Sequence, residues 1–234
     1  LILRPATRTT AGVGNVSTSR KLHVLQPAPD RLFVLQSAGS LATTHEVLDR
    51  IETDLQAGDD RESLATVEHL YEAALYVGRL GREIAGEHAE ALGADATATF
   101  ILGGQISGGR PDVLLVYPEG NYIRASDERP FLQIGESKYG KFILDFMVLA
   151  HVDLATAVKI AVGSMMSTAR ANLSVGPPYD GAVLANDGSL ALDEFRVEAD
   201  SPTITELQAL WQKHLHNFIT ELPDVAPDVI ASAD

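Results

Sequence analysis

Few residues of this 234-residue chain have the types and spacing that catalysis or ligand binding requires. His214 and His216 have the spacing of two metal ligands on a strand, but they fall in a predicted helix without carboxylate partners. We interpret them as a surface pair. The glycine pairs at 103–104 and 108–109 are not followed by the Lys-Ser/Thr of a phosphate-binding loop. The chain has no cysteine, which excludes thiolate nucleophiles, thiolate metal sites and disulfides.

Threonine and lysine side chains near the start are the remaining candidates for nucleophilic chemistry. Thr7, Thr9 and Thr10 are internal and have no free α-amine to act as a base, so turn and strand positions explain them better. Lys21 opens a predicted strand, and composition alone favours a solvated lysine at the end of that strand. Residue types and spacing therefore assign no activity to this region by themselves.

Composition and charge narrow the possible partners. Hydrophobic residues make up 45% of the chain and charged residues 21%, which is typical of a folded globular protein. The net charge of −14 argues against binding to nucleic acid or to an anionic membrane surface, because both require a basic face. No apolar run is long enough to span a membrane, and no signal peptide is recognisable at the start.

Hydrophobic periodicity and turn residues predict segregated blocks of strands and helices. Strands are predicted at 1–3, 21–25, 31–35, 97–102, 113–117, 122–125, 131–134, 181–184 and 191–197. Helices are predicted at 41–55, from 67 to a terminating Gly93, at 139–149, after an N-cap at Asp153, and at 202–222 with a capping box of Thr203 and Glu206. The helix after Asp153 is rich in small residues, so we expect it to be buried. This order favours an α+β fold with one domain over 1–222 and a mobile tail at 223–234.

Five segments, spread over most of the chain, resemble one family. Thr7–Gly12 looks like the Asp-x-Arg-x-x-x-Gly segment of proteasome beta subunits without its Asp, and Ser17–Lys21 resembles their approach to an active-site Lys. Ser37–Gly39 resembles the Ala-Gly that follows their next strand. Gly103–Gln105 and Gln133–Lys141 are characteristic of the bacterial ancestral-beta-subunit (Anbu) proteins. The chain is therefore identified as resembling the Anbu family from Thr7 to its last helix.

The resemblance implies the four-layer α-ββ-α sandwich of N-terminal-nucleophile hydrolases, which agrees with the predicted elements. In such enzymes an N-terminal Thr is the nucleophile and its own α-amine is the base, since that amine has a pKa near 8. Lys21 matches the Lys whose charge activates the nucleophile, and Gly39 matches the backbone donor to the oxyanion. Glu136 and Ser137, and likewise Asn172 and Ser174, align only loosely with supporting residues, so we assign them no role.

Two departures from the family pattern concern the catalytic residues themselves. Ala6 stands where the family has the Asp that holds the Lys, and Leu1 is no nucleophile. The nucleophile is expected about one strand upstream of Leu1. Three accounts remain open: the sequence starts downstream of the native start, its first half-dozen residues are not native, or this homologue has lost catalysis.

The resemblance further implies a cytoplasmic protein that assembles with itself into a ring or spiral and acts on peptides or unfolded proteins. It implies no metal or organic cofactor and neither a nucleic-acid nor a membrane partner. The first functional hypothesis is a threonine-type peptidase. The alternatives are a catalytically inactive assembly subunit, indicated by Ala6, and an amidase of the same fold, which would have a deep closed pocket rather than an open groove.

Overall fold

The computed structural model describes residues 2–3, 8–10, 16–18, 20–58, 61–149 and 151–223. The strands of this part of the chain are β1 (Ile2–Leu3), β2 (Arg8–Thr10), β3 (Val16–Thr18), β4 (Leu22–Ala28), β5 (Arg31–Gly39), β6 (Ala98–Ile106), β7 (Asp112–Val116), β8 (Tyr122–Arg124), β9 (Tyr179–Leu184) and β10 (Leu192–Val197). The helices are α1 (Leu41–Gln56), α2 (Leu70–Leu92), α3 (Lys141–Met147), α4 (Leu154–Ala171) and α5 (Pro202–Glu221). The predicted mixture of segregated strands and helices is confirmed.

The largest sheet has five strands in the order β4-β5-β6-β7-β8, and each neighbouring pair is antiparallel. The chain reverses direction through turns that the sequence predicted, at Ser107–Gly109 and Pro118–Asn121. In the second of these, Gly120 has a φ of 93°, a left-handed conformation that glycine adopts without strain. A three-stranded sheet has the order β1-β9-β10, and β2 pairs with β3 as a hairpin.

Helices α1 and α2 cover one face of the five-stranded sheet. Phe33 and Leu35 of β5 point to this side because side chains two apart on a strand share a face, and both are fully buried. Val47 and Ile51 supply the facing side chains of α1. These four side chains are part of the main hydrophobic core, which lies between the sheet and the two helices.

The opposite face of the five-stranded sheet carries a second, smaller core. Here Leu22, Val34 and Ile101 pack with Ala182 of β9, so the three-stranded sheet lies over this face. Leu132 and Ile134 also pack into this core, but the structure assigns no strand to 131–134. The prediction of a strand there was wrong. Its alternating apolar residues reflect insertion of a loop into a core, which produces the same period-two pattern without strand pairing.

Of the two helix N-terminal caps that the sequence predicted, one is confirmed and one is wrong. The Asp153 side chain caps α4 by accepting a hydrogen bond of 3.0 Å from the Thr156 amide. Helix α5 begins at Pro202 after Ser201, so Thr203 lies inside the helix and does not form the predicted capping box. Pro suits this first helical position because its fixed φ is helical and its missing N–H would have no intrahelical partner.

Helix α4 is less buried within one chain than its small residues predicted. Its buried residues are Ile160, Val162, Ser164 and Thr168, whereas Ala155 is exposed. Small side chains that are not covered by their own chain leave room for close approach by another surface.

The chain divides into two compact units, Leu1–Val197 and Glu198–Asp234. The second unit contains α5, a 20-residue amphipathic helix. Its apolar stripe is exposed at Leu210, Trp211, Leu215 and Phe218. The predicted mobile tail lies, beyond Pro223, outside the described residues.

Candidate functional site

The structure brings Lys21 and Gly39 to the same end of the five-stranded sheet. Lys21 immediately precedes β4, and its carbonyl oxygen accepts a hydrogen bond of 3.3 Å from the amide of Ser37 on β5. Gly39, two residues further along, is the last residue of β5. Lys21 and Gly39, which the family resemblance selected, therefore lie at the same end of the β4–β5 pair. They are 18 positions apart in sequence.

Gly39 occupies a turn that only glycine accommodates. Its φ is +102°, and a Cβ at this position would lie 2.5 Å from the carbonyl oxygen of Thr97. The next residue, Ser40, donates its amide to the same oxygen at 2.8 Å, and its side chain then caps α1 through the amide of Thr43. Gly39 thus lies exposed at the N-terminus of a 16-residue helix, where the helix dipole favours negative charge.

Lys21 has a perturbed ionisation. The side chain is partly buried, and loss of solvation lowers the pKa of its ammonium group. Ala6, the position at which the family has a carboxylate, lies outside the described residues.

A third segment reaches the Ala38–Gly39 turn. Gly135, with a φ of +76°, approaches so closely that a Cβ built on it would lie 3.4 Å from the Cβ of Ala38. The segment 133–140, which carries the Anbu-like motif, therefore borders the candidate oxyanion position. Sequence reasoning identified the motif but not this contact, because the two segments are about 100 residues apart.

Glu136 and Asn172, which aligned only loosely with supporting residues, are joined directly in the structure. The Asn172 side-chain amide donates a hydrogen bond of 3.1 Å to Oε2 of Glu136. The Oδ1 atom of Asn172 accepts hydrogen bonds from the hydroxyl and the amide of Ser174, at 2.7 and 2.9 Å. Ser137 lies next to this network, and its carbonyl oxygen accepts the amide of Lys141 at 3.1 Å.

Two glutamines near the site were missed at the sequence level. Gln36, which pairs with Leu22, is almost fully buried, and its Nε2 atom has no hydrogen-bond partner among the described residues. Oε1 of Gln133 is likewise buried and without a partner in that part of the chain. The sequence could have indicated Gln36, because it is a polar residue directly after the apolar run 32–35.

A cavity of about 350 Å³ lies beside Lys21, between helix α1 and β4, which is the edge strand of the described five-stranded sheet. Apolar residues form much of its lining, together with Arg20, His23, Asp49 and Glu52. Burial is the main cause that lowers the pKa of His23, and the positive charge of Arg20 lowers it further. Arg20 itself forms an ion pair of 2.5 Å with Glu194 on β10, which links the two sheets at this end.

The remaining sequence candidates were a histidine pair, a metal site and a membrane span. His214 and His216 are exposed on α5, consistent with their interpretation as a surface pair. Within the described ranges, no group of three or more potential metal ligands is present. In the same part of the chain, no helix combines the length and apolarity required to cross a membrane.

Comparison with known proteins places this geometry in a family. No protein-family model and no curated protein matches the chain. Among solved structures, Anbu from Hyphomicrobium sp. strain MC1 is 38% identical, with a TM-score of 0.85 and coverage of 96% of this chain and 94% of that one. Anbu from Yersinia bercovieri is 36% identical with a TM-score of 0.86, covering 96% and 94% of the two chains. A helical assembly of the Anbu complex from Pseudomonas aeruginosa is 35% identical with a TM-score of 0.88, covering 97% and 94%.

The mixed α/β fold is thus that of a proteasome-like protein. More specifically, the identity of 35–38% over almost the whole chain shows that it belongs to the Anbu, or ancestral beta-subunit, family.

Proposed function

We propose that this chain is a subunit of a self-assembled, threonine-type peptidase whose nucleophile is the N-terminal Thr of the native protein. The observation that carries the proposal is that Lys21 and Gly39 lie at the same end of the sheet. The Ser37 amide donates a hydrogen bond to the Lys21 carbonyl, and Gly39 is two residues beyond Ser37. Lys21 supplies a positive charge, and Gly39, an exposed residue at a helix N-terminus, supplies its backbone amide.

In the proposed mechanism, the Thr hydroxyl transfers its proton to the α-amine as its oxygen attacks the substrate carbonyl carbon. The amide of Gly39 stabilises the negative oxygen of the tetrahedral intermediate. Collapse breaks the C–N bond, the leaving amine takes the proton, and an ester to the Thr remains. Water then hydrolyses this ester by the same route. Lys21 lowers the effective pKa of the nucleophile by its charge.

The proposed context is a cytoplasmic homo-oligomer, a ring or spiral, that acts on peptides or unfolded proteins. Support comes from the helical assembly formed by the relative from Pseudomonas aeruginosa. We further propose that residues 1–222 form a single proteasome-like domain with the α-ββ-α layers, in which α3 and α4 provide the outer layer opposite α1 and α2. The chemistry needs no metal or organic cofactor, and the net charge of −14 disfavours nucleic acid and anionic membranes as partners.

A second candidate is a catalytically inactive assembly subunit. The observation that favours it is Ala6, which stands where the family has the Asp that holds the Lys. An alanine side chain cannot orient an ammonium group by charge. Under this reading the strand-end geometry persists as a structural remnant, and the assembly alone is functional.

The decisive experiment is the intact mass and N-terminal sequence of the protein expressed from its natural gene, followed by peptide turnover. A mature N-terminal Thr with turnover that Lys21→Ala reduces by about 100-fold or more supports the peptidase. The control is Lys213→Ala, which removes an exposed lysine of α5 and should leave turnover unchanged. Absence of a Thr, Ser or Cys at the mature N-terminus would contradict the peptidase and favour the assembly subunit.

A further inference from the structure

The cavity between β4 and α1 has the size and the apolar lining of a site for one long side chain. Its volume of about 350 Å³ lies at the lower end of the range for ligand sites, about 300–1,000 Å³. Leu25, Leu48 and Leu55 pack against the main core but are only partly buried, so each leaves apolar surface in the cavity wall. The other apolar residues of the lining are Leu22, Val24 and Ile51. We call this space the β4–α1 cavity.

Two carboxylates of α1 also line the β4–α1 cavity. Asp49 and Glu52 are exposed, and neither forms an ion pair with a described residue. Oε1 of Glu52 accepts a hydrogen bond of 3.3 Å from the Gln56 side chain, but this neutral amide does not balance the charge. Because residues three apart on a helix are neighbours, the two negative charges repel each other. A cation bound between them would remove this repulsion, so the cavity favours a positively charged ligand.

The two basic residues of the lining do not oppose such a ligand. Arg20 forms its ion pair of 2.5 Å with Glu194, which balances its charge. Burial lowers the pKa of His23, so its ring is mainly uncharged at neutral pH. Nε2 of His23 is buried and has no hydrogen-bond partner in the described part of the chain. The wall therefore also contains a polar atom that no described residue uses.

We propose that the β4–α1 cavity binds the side chain of a lysine or arginine residue of the peptide substrate, with the cationic group at Asp49 and Glu52. The aliphatic stem would pack on the leucines, since long basic side chains bury their methylene groups while the charge stays in water. The inference rests on the proposed peptidase function. It adds the class of substrate, which is a peptide with a basic residue near the bond that is cut.

The position of the β4–α1 cavity lets one peptide reach both the cavity and Lys21. Lys21 and His23 are two positions apart, so their side chains share a face of the sheet and are separated by about 7 Å along the strand. An extended peptide covers this distance with two residues. The basic residue should therefore lie about two residues from the bond that is cut.

The test compares peptides that differ only in this side chain, with the native protein expressed from its gene. The probes are the fluorescently labelled peptides Ala-Ala-Lys-Ala-Ala and Ala-Ala-Nle-Ala-Ala, because norleucine has the stem of lysine without its charge. Fluorescence anisotropy, recorded before turnover, gives the dissociation constants. The lysine peptide should bind about three- to tenfold more tightly, as expected for contacts between exposed charges. Equal affinities would overturn the proposal.

Asp49→Asn/Glu52→Gln should remove the preference for lysine, because it removes both charges and keeps the shape of the cavity. The affinity for the norleucine peptide should not change. The matched control is Glu87→Gln/Glu90→Gln, which removes two exposed carboxylates with the same spacing from α2 and should retain the preference. A preference that survives Asp49→Asn/Glu52→Gln would show that the basic side chain binds elsewhere.

Amide hydrogen exchange locates the contact on the unmodified protein, so the inference remains testable if the double variant does not fold. At equal saturation, the lysine peptide should slow exchange at 22–25 and 48–55 more than the norleucine peptide does. Protection that is confined to other segments would contradict the assignment to the β4–α1 cavity.

A free amine distinguishes a site for peptide side chains from a site for small cations. The probe is n-butylamine, which is the side chain of lysine without its backbone. It should displace the labelled lysine peptide at least about tenfold more weakly than the unlabelled peptide does, because it lacks the contacts of the backbone. Equal potency would show that the cavity binds small amines and not peptides.

Turnover separates a failure of this inference from a failure of the proposed function. In a protein that cleaves peptides, Asp49→Asn/Glu52→Gln should lower kcat/KM for the lysine peptide by about three- to tenfold and leave that for the norleucine peptide unchanged. Equal kcat/KM values for the two peptides in the unmodified protein would overturn the substrate class alone. Tighter binding of the lysine peptide without cleavage of any peptide would overturn the peptidase and support the site for a basic side chain.

Discussion

The backbone of Ser37 holds Lys21 in register with the end of β5, through a hydrogen bond of 3.3 Å from its amide to the Lys21 carbonyl. Gly39 lies two residues beyond Ser37, at a φ of +102°. The pairing of β4 with β5, rather than any local motif, therefore sets the position of the lysine relative to the glycine. A change in this register by one residue would turn the Lys21 side chain to the other face of the sheet.

The Gly39 turn should not tolerate a side chain. Gly39→Ala places a Cβ 2.5 Å from the Thr97 carbonyl oxygen and forces a non-glycine residue into positive φ. We expect a loss of at least about 1–2 kcal/mol in the free energy of unfolding, from the positive φ alone. Gly108→Ala is the matched control, because Gly108 also has a positive φ but has no atom within 4 Å of its added Cβ. Urea denaturation of both variants measures the difference, and equal losses would contradict the steric account.

The close packing of α2 on the turn between β7 and β8 should depend on Gly78. A Cβ there would lie 2.5 Å from the carbonyl oxygen of Gly120, so Gly78→Ala should destabilise the fold and separate the helix from the sheet. Gly86, on the same helix, has no atom within 4 Å of an added Cβ. Gly86→Ala should instead stabilise the protein by about 0.5–1 kcal/mol, because alanine favours the helix. Thermal unfolding should therefore shift in opposite directions, and a shift in the same direction would argue against the close contact.

A buried hydrogen bond from Tyr76 to Asp54 should contribute to stability. The Tyr76 hydroxyl donates to Oδ2 of Asp54 at 2.8 Å, and burial together with this bond raises the pKa of the phenol. Tyr76→Phe removes the donor and leaves a buried carboxylate oxygen unpaired, which should cost about 1–3 kcal/mol. Tyr71→Phe removes a phenol whose hydrogen bond to Glu72 is only half-buried, and it should cost less. Denaturant midpoints of the two variants provide the comparison.

Acidification should destabilise the fold through His23. Burial, and then the charges of Arg20 and His45, lower the pKa of His23 below its usual value of 6.5. The unfolded chain therefore binds a proton between pH 6.5 and the lower folded pKa while the folded chain does not. The contribution of His23 to the free energy of unfolding is fully present above pH 6.5 and decreases as the pH falls through this window. The expected observation is a decreasing free energy of unfolding from pH 7.5 to 5.5.

His23→Asn should reduce this dependence on pH, since it removes the titrating group. The control is His216→Asn, which changes an exposed histidine on α5 and should retain the dependence of the unmodified protein. Free energies of unfolding from urea titrations at pH 7.5, 6.5 and 5.5 decide the question. An identical pH slope in the protein with and without His23 would show that another group is responsible.

The sequence alone predicted most of the elements because each carries its own local signal. The strand at β5 followed from its apolar run, the end of α2 from Gly93, and the cap of α4 from Asp153. The strand predicted at 131–134 was wrong because periodicity reports which side chains are buried, and a loop inserted between two sheets buries alternate residues as a strand does. The small residues of α4 predicted burial that one chain supplies only at four of its positions.

For the candidate site, the sequence determined which residue types are available, and its resemblance to Anbu proteins selected Lys21 and Gly39. Only the tertiary structure decided which of them meet. Strand pairing sets Lys21 opposite Ser37, and packing of a loop on α4 brings Glu136 to Asn172 and Gly135 to Ala38. Contacts between residues 16 to about 100 positions apart leave no local pattern in the sequence. They arise from pairing of strands and packing of side chains across the whole fold, which is why the sequence named the residues but not their arrangement.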